Sequence, residues 1–209
     1  MQFSNLLKIV VLTVIVLGLS SAYVRAFTVA GPSMTPTFLN GDVIVSNHAA
    51  YDLRLPFLDT VLLKTGEPQR GDLVMYFDEP KNVIATKRVV GVPGDAVRMV
   101  NNILYINGTN VMQRIEPRKF FRGVPAVNDL GELVARETLG SSEHLITYTP
   151  EKSPVHSFEE VKVAAGKYFI LGDNRDNSAD SRYTGLISRE QIKGRVFIGA
   201  RTLDSYAEL

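Results

Sequence analysis

After Arg25 the chain consists of short apolar runs that alternate with polar positions. These runs are rich in Val, Ile, Tyr and Phe and are separated by Gly, Pro, Asn and Asp, with little of the 3.6-residue period of a helix. They predict the strands FTVA, DVIVSN, DLVMYF, VIATKRVVGV, AVRMV, ILYIN, TNVMQRI, KYFILG and GRVFIGA. The pattern therefore predicts a mainly β protein.

Two local signals refine this picture. Asn107 and Gly108 separate two strand runs and predict a tight hairpin turn. Near the carboxyl end, Ser188 and Gln191 fit a capping box and Gly194 a helix stop, so we expect one short helix over REQIK.

The amino end has a different pattern, because residues 9–24 carry no charge. A helix over residues 5–24 would be about 30 Å long, enough to cross a bilayer with Lys8 at the interface. We expect residues 1–25 to be an N-terminal membrane anchor with a short cytoplasmic end, which leaves the rest outside the cytoplasm. The alternative is a secretory signal cleaved after Ala22, since the residues ending there are small.

Residues 101–165 differ from their surroundings in having more charge, more loop signals and weaker alternation. We expect them to form an inserted, variable, β-rich subdomain. The main β domain would then comprise residues 26–100 and 166–209.

Composition excludes several functions. The 23 basic and 22 acidic residues are interspersed and give a net charge of +1, so no basic face suggests a nucleic-acid partner. The chain has no cysteine, which rules out disulfides, thiolate nucleophiles and sulfur-ligated metals. Its three histidines lie far apart without metal-ligand spacing, and we expect no metal site.

Ser33 lies on a loop between Pro32 and Pro36. Taken alone, such a serine is a turn residue. The sequence GPSMT comes close to the G-x-S-x-G nucleophile elbow, but Thr35 replaces the last glycine. If Ser33 is a nucleophile, it therefore needs a different kind of base.

Lys87 lies in the predicted strand VIATKRVVGV, on the same face as Ala85 and Val89. It is either a solvated edge-strand lysine or a desolvated amine. Lowering the pKa of a lysine to 7 or 8 takes about 3 to 5 kcal/mol of differential solvation, which burial can supply. A neutral Lys87 can accept the proton of a serine hydroxyl, whereas Arg88 stays a cation.

The segment GDNRDNSADSR, residues 172–182, is dense in Asp, Asn and Ser. Its acidic residues do not follow the spacing of a calcium loop, and Arg175 stands where an acidic ligand belongs. We expect its acidic and basic groups to pair with each other and to hold Ser178 in one position.

Five segments together resemble type I signal peptidases in their residues, order and spacing: PSMTPT, the GD at 41–42, RGDLV, TKRVVGVPGD and GDNRDNSADSR. The resemblance implies a signal-peptidase-like catalytic β domain with a small insertion, preceded by one transmembrane helix. It implies a single-pass protein of the bacterial cytoplasmic (inner) membrane that cleaves signal peptides of exported preproteins on the outer side. It also implies a serine and lysine dyad, an acyl-enzyme intermediate, and no metal or cofactor.

The resemblance also assigns site residues. Ser33 would be the nucleophile and Lys87 the general base. Ser178 would orient the lysine amine, and Asp180 and Arg182 would brace the loop as an ion pair.

Substrates of the family carry small residues at the first and third positions before the cut. Met34 lines the substrate cleft in the family, and shallow apolar pockets are expected from Phe27, Val29, Met34, Phe38 and Ile44. Some members have a serine that completes the oxyanion hole where this chain has Gly31. The N–H of Ser33 would supply one oxyanion donor, and the second is open.

Three other functions fit parts of this pattern. A specialised processing peptidase, of the conjugative pilin or mitochondrial inner-membrane type, would share the chemistry with a narrower substrate range. Self-cleaving repressors share the dyad, but this chain has a hydrophobic segment where they have a DNA-binding helix pair. A non-catalytic membrane-anchored β adaptor would carry Lys87 as a solvated strand residue.

Overall fold

The computed structural model describes residues 5, 7–11, 13, 23–55, 60–116, 133–149 and 155–200. Within these ranges the protein is built mainly from β-strands, as the alternation predicts. The strands are β1 (Val24–Thr28), β2 (Val43–Asn47), β3 (Asp52–Arg54), β4 (Val61–Lys64), β5 (Leu73–Asp78), β6 (Val83–Gly91), β7 (Ala96–Val100), β8 (Ile103–Ile106), β9 (Thr109–Asn110), β10 (Met112–Glu116), β11 (Leu133–Leu139), β12 (Ser142–Tyr148), β13 (Phe158–Lys162), β14 (Lys167–Leu171), β15 (Ile187–Ser188) and β16 (Ile192–Ala200).

A seven-stranded sheet forms the centre of the fold, with the order β1-β2-β16-β5-β6-β14-β15. Neighbouring strands are antiparallel throughout. A 3-10 turn at Glu79–Lys81 connects β5 to β6. Strand β16 lies between β2 and β5, so residues late in the chain join two early hairpins into one sheet.

The remaining strands form smaller sheets with the orders β13-β7-β8-β9, β10-β11-β12 and β3-β4. The β7–β8 hairpin crosses the domain boundary expected at residue 100. A shared core joins the two parts: Val90 of β6 and Leu171 of β14 pack in one cluster with Val97, Leu104 and Leu139. The described strands of segment 101–165 therefore share one core with the main sheet.

All the strands expected from alternation are present, with one of them divided. The run TNVMQRI is split at Val111 into β9 and β10. At the predicted hairpin turn, Asn107 and Gly108 both have positive φ, 52° and 79°, as a type I′ turn requires. Strands that lack clear alternation were not predicted, namely β3, β4, β11, β12, β13 and β15.

The helix expected over REQIK is only a 3-10 turn, Arg189–Gln191. Its capping contact is present, since the Ser188 N–H donates to Oε1 of Gln191 at 2.7 Å. Gly194 does not end a helix, because it lies within β16 opposite Met75. A Cβ at Gly194 would lie 2.9 Å from the carbonyl oxygen of Asn47, so the glycine permits close approach of β2.

Most of the predicted anchor, residues 1–25, lies outside the described residues, as does the alternative cleavage point at Ala22. Helical residues are found at 5, 7–11 and 13. No helix in the part of the chain that is described has the length and apolar character needed to span a membrane.

Between the β1 and β2 strands the chain forms the loop that carries Ser33. Backbone hydrogen bonds close the base of this loop, from Val29 N–H to the Asp42 carbonyl at 2.8 Å and from Gly41 N–H to the Val29 carbonyl at 2.9 Å. Within it, the carboxylate of Asp42 accepts a hydrogen bond from the Leu39 N–H at 2.8 Å. The loop is thus fixed at its ends by the sheet and internally by turns.

Candidate active site

The structure brings Ser33 and Lys87 together. Nζ of Lys87 lies 2.8 Å from Oγ of Ser33, and it also donates to the carbonyl oxygen of Thr86 at 3.0 Å. Lys87 extends from β6, near the middle of the main sheet, and is only 4% exposed. A non-catalytic adaptor with a solvated lysine would not bury this amine.

Burial changes the acid–base behaviour of Lys87. The pKa of its amine is lowered from its ordinary value of 10.5 to about 8, chiefly because burial disfavours the charged form. The carboxylates of Asp180 and Asp173 oppose this shift, while Lys81 adds to it. Near neutral pH a useful fraction of Lys87 is therefore uncharged and able to accept a proton.

Arg88, the next residue of β6, points to the opposite side of the strand and fixes the 172–182 loop. Its guanidinium donates to both carboxylate oxygens of Asp173, at 2.9 and 2.7 Å, and to the Gly71 carbonyl at 2.9 Å. The hydroxyl of Thr37, from the Ser33 loop, donates to the same carboxylate. Burial alone would raise the pKa of Asp173, but the pairing with Arg88 keeps it below its usual range.

The Asp180–Arg182 ion pair expected in this loop is present. Nε and Nη2 of Arg182 donate to the two oxygens of Asp180 at 2.8 and 2.9 Å, and both side chains are fully buried. Asp180 also accepts from the Gly172 N–H at 3.0 Å. This one pair therefore ties the start of the loop to its end.

The other charges of the loop do not pair with each other as expected. Asp173 pairs with Arg88 of β6, and Arg175 pairs with Glu137 of β11. The loop is therefore braced largely from outside, by partners that lie 85 and 38 residues away in sequence.

Ser178 is buried beside the dyad but does not contact the lysine amine through a hydrogen bond. Its Oγ has no hydrogen-bond partner among the described residues. A Cβ placed on Gly172 would meet both Ser178 Oγ, at 2.2 Å, and the carbonyl oxygen of Ser33, at 2.5 Å. Gly172 thus lies between Ser178 and Ser33, and the orienting role of Ser178 stays a prediction.

The five residues expected to form apolar pockets belong to one cluster next to Ser33. Met34, Phe38 and Ile44 are buried in it, whereas Phe27 and Val29 are half-buried at its edge. Sequence reasoning missed further members of the cluster, which are Leu73, Met75 and Val196. Leu73 and Met75 alternate along β5, and this period is the signal that could have found them.

Two backbone N–H groups, of Gly31 and Ser33, are candidate donors for an oxyanion. No described residue accepts a hydrogen bond from the Ser33 N–H, so this donor is available. Gly31 has a φ of +95°, and its N–H donates to Oδ1 of Asn40 at 2.9 Å. A Cβ on Gly31 would have nothing within 4 Å.

The described ranges contain no group of three or more His, Cys, Asp or Glu side chains placed to hold a metal ion. The arrangement that is present, a hydroxyl hydrogen-bonded to a buried amine of lowered pKa, is suited to nucleophilic catalysis by serine.

Comparisons of the sequence with known proteins point in the same direction. The family described as signal peptidase, peptidase S26, matches residues 3–200. A signal peptidase I of Pseudomonas aeruginosa is 38% identical over 199 residues, which cover 88% of this chain and 66% of that protein. A signal peptidase IB of Staphylococcus aureus is 31% identical over 198 residues, covering 91% of this chain and 85% of that protein.

Among solved structures, a signal peptidase I from Enterococcus faecalis matches with a TM-score of 0.38 and 26% identity, covering 63% of this chain and 98% of that one. The chain spans 66% of the length of the Pseudomonas relatives. Because the family match covers nearly the whole chain, including Ser33, Lys87 and the 172–182 loop, this protein belongs to the signal peptidase family, peptidase S26.

Proposed function

We propose that this protein is a membrane-anchored serine endopeptidase that removes signal peptides from exported preproteins, with Ser33 as nucleophile and Lys87 as general base. One observation carries the proposal. The Ser33 hydroxyl lies 2.8 Å from a buried amine whose pKa is about 8. Membership in the signal peptidase family supplies the substrate class.

The reaction follows from this pair. Neutral Lys87 accepts the proton of Ser33 as Oγ attacks the carbonyl carbon of the scissile bond. The resulting ammonium then donates the proton to the leaving amine, the C–N bond breaks, and an ester links Ser33 to the signal peptide. Lys87, neutral again, accepts a proton from water as the water oxygen attacks the ester carbonyl carbon. The ester C–O bond then breaks, the signal peptide leaves as a carboxylic acid, and Lys87 returns the proton to Ser33 Oγ.

The tetrahedral intermediates carry a negative oxygen that needs hydrogen-bond donors. The N–H of Ser33, which donates to no described residue, is one such donor. Removing one such donor in other serine proteases costs about 100- to 1,000-fold in kcat. Gly31 has no side chain to contribute a second donor.

The substrate would bind as an extended strand beside the apolar cluster. Strand β1 is the outer strand of the seven-stranded sheet and leads directly into the Ser33 loop. An extended peptide can pair with such an edge through its backbone. Phe27 and Val29, half-buried at the edge of the cluster, would then face the small side chains before the cut.

The bilayer is the second proposed partner. Ser33 lies only nine residues after Val24, so the connecting chain is at most about 30 Å long and keeps the site close to the end of the hydrophobic segment. The hydroxyl of Tyr23 donates to the carbonyl of Arg54 at 2.6 Å, which places the β3–β4 hairpin at the same end. Strand β4 exposes Leu62 and Leu63 by 55% and 60%, which supports contact with lipid there.

Purified full-length protein in detergent, incubated with a preprotein that carries a signal peptide, tests the proposal. We expect cleavage by the wild type and none by Ser33→Ala or Lys87→Ala, with circular dichroism showing that both variants fold. Retained cleavage by either folded variant would overturn the dyad. A panel of unrelated preproteins separates a general peptidase from a specialised one, since only the general enzyme cleaves most of them.

The anchor has its own test. The mature amino terminus, measured on protein from a membrane fraction, should be Met1 or Gln2 if residues 1–25 are retained. A terminus at Tyr23 in wild type, but not in Ser33→Ala, would show that the protein removes its own hydrophobic segment.

A further inference from the structure

The inserted segment contributes a buried acidic residue to the surroundings of the active site. Glu137 lies on β11 and is 0% exposed. It faces Arg175 of the 172–182 loop, which is 1% exposed. A carboxylate buried this completely requires a charged partner, and Arg175 is that partner.

The contact between these two residues is bidentate. Nη1 of Arg175 donates to Oε1 of Glu137 at 2.9 Å, and Nη2 donates to Oε2. The Nε–H of the same guanidinium donates to the Gly172 carbonyl at 3.2 Å. Burial alone would raise the pKa of Glu137, but Arg175 and the nearby His144 lower it to about 2, so the carboxylate stays charged.

The backbone of β12 adds to this attachment. Thr147 N–H donates to the Asp173 carbonyl at 2.9 Å, and Arg175 N–H donates to the Thr147 carbonyl at 2.8 Å. The carboxylate of Asp176 accepts from the Thr149 N–H at 2.6 Å. Residues 173–176 are thus hydrogen-bonded to β12 and to the residue after its end, as a neighbouring strand would be.

This part of the loop in turn contacts the nucleophile. Asn174 N–H donates to the Ser33 carbonyl at 3.2 Å. Gly172, held by Nε of Arg175, lies between the Ser33 carbonyl and Ser178. A shift of Arg175 would therefore move both residues that contact the Ser33 carbonyl, namely Gly172 and Asn174.

We propose that Glu137 is a positioning residue of this enzyme: it holds Arg175, and through Arg175 it fixes residues 172–178 against Ser33. The inference rests on the proposed peptidase function. It assigns the insertion a part in the active site, although Glu137 touches neither the substrate nor the dyad.

A role in stability alone would not explain the geometry. A buried ion pair contributes little net stability, because desolvation of both charges offsets their attraction, and apolar residues of similar volume often serve as well. An apolar pair cannot reproduce the bond from Nε of Arg175 to Gly172. An experiment can therefore separate an effect of this pair on the position of the 172–182 loop from an effect on the stability of the protein.

The decisive variant is the double substitution Glu137→Met with Arg175→Met, which replaces the pair by side chains of similar size. We expect it to fold, with a thermal midpoint near that of the wild type. Its kcat for a preprotein peptide should fall by about 10- to 100-fold, the scale of a small misplacement of reacting groups. KM should change by less than about threefold, because the apolar cluster at Ser33 is untouched.

Glu143→Gln is the matched control, because it removes a carboxylate of the same hairpin whose side chain is 60% exposed. It should leave kcat and KM unchanged. A second readout is the midpoint of the acid limb in a plot of kcat against pH. This midpoint should shift in the Met double variant but not in Glu143→Gln. The reason is that the loop carries Asp173 and Asp180, whose carboxylates raise the pKa of Lys87.

The outcomes are distinct. If the wild type cleaves no preprotein, the proposed function fails. If it does cleave, and the folded double variant keeps kcat within about twofold of wild type, Glu137 is not a positioning residue. Should the double variant not fold, Glu137→Gln decides in its place: a kcat at least about tenfold lower supports positioning, and an unchanged kcat overturns it.

Discussion

Gly172 lies so close to Ser178 that a Cβ on the glycine would be 2.2 Å from the serine Oγ. The same Cβ would lie 2.5 Å from the carbonyl oxygen of Ser33. The nucleophile loop and the 172–182 loop therefore touch at a residue without a side chain. Any larger residue there must push the two loops apart.

We therefore predict that Gly172→Ala lowers kcat/KM by about 100-fold, because the added methyl displaces Ser178 or Ser33. Steady-state cleavage of a preprotein peptide measures the effect. Gly91→Ala is the control: its Cβ would lie 2.7 Å from Val97 and 3.0 Å from Val163, in the core away from the dyad. That variant should lose about 1 to 3 kcal/mol of stability and keep its activity when folded. Equal activity of Gly172→Ala and wild type would contradict the prediction.

The pH dependence of cleavage should report Lys87. Because the pKa of its amine is about 8, a growing fraction is protonated below that pH and cannot accept the Ser33 proton. We expect kcat/KM to show an acid limb with a midpoint near pH 8. Lys81→Met should move this midpoint upward, because Lys81 lowers the pKa of Lys87. An acid limb with a midpoint below pH 6 would show that another group is the base.

Stability should depend on pH through the same residue. The folded-state pKa of Lys87, about 8, lies below the ordinary value of 10.5, so the unfolded state binds more protons between these pH values. Stability is then fully present above pH 10.5 and is lost as pH falls through 8.

Lys87→Met should accordingly be more stable than wild type by up to about 3 kcal/mol at pH 7. The difference should close as pH rises from 8 to 10.5, as urea unfolding at several pH values can measure. A constant difference across this range would mean that the charge of Lys87 is not its source.

The oxyanion hole offers a prediction at Gly31. With φ at +95°, this position disfavours any residue with a side chain. We expect Gly31→Ser to lose about 1 to 2 kcal/mol, and hence a few degrees in Tm, without a gain in kcat, since a side chain there faces open space. Gly31→Ala carries the same backbone cost without the hydroxyl. If Gly31→Ser were tenfold faster than Gly31→Ala, the serine hydroxyl would be reaching the oxyanion.

The sequence was informative where the physical rule is local. Strand alternation placed Lys87 and Arg88 on opposite faces of β6, and the structure shows one at Ser33 and the other at Asp173. The turn at Asn107 and Gly108 followed from backbone preferences alone. These predictions needed no knowledge of distant contacts.

The remaining features depend on partners far along the chain. Nothing near Glu137 indicates that its partner is Arg175, because the approach of the insertion to the catalytic loop is set by the shared core. Gly194 was misread for the same reason: its lack of a side chain serves the neighbouring strand β2 and does not end a helix. The ion pairs of Asp173 with Arg88 and of Arg175 with Glu137 could not be predicted from neighbouring residues either, because their partners lie far away in sequence.

The place of β16 in the main sheet bears on when Ser33 and Lys87 can first meet during folding. Ser33 enters through β2 and Lys87 through the β5–β6 hairpin, and β16 is the strand that joins these two parts. Pairing of this kind between distant segments is slow compared with hairpin closure. A growing chain would thus carry both members of the dyad well before it could use them, and proteolytic competence would arrive as one of the last steps of folding.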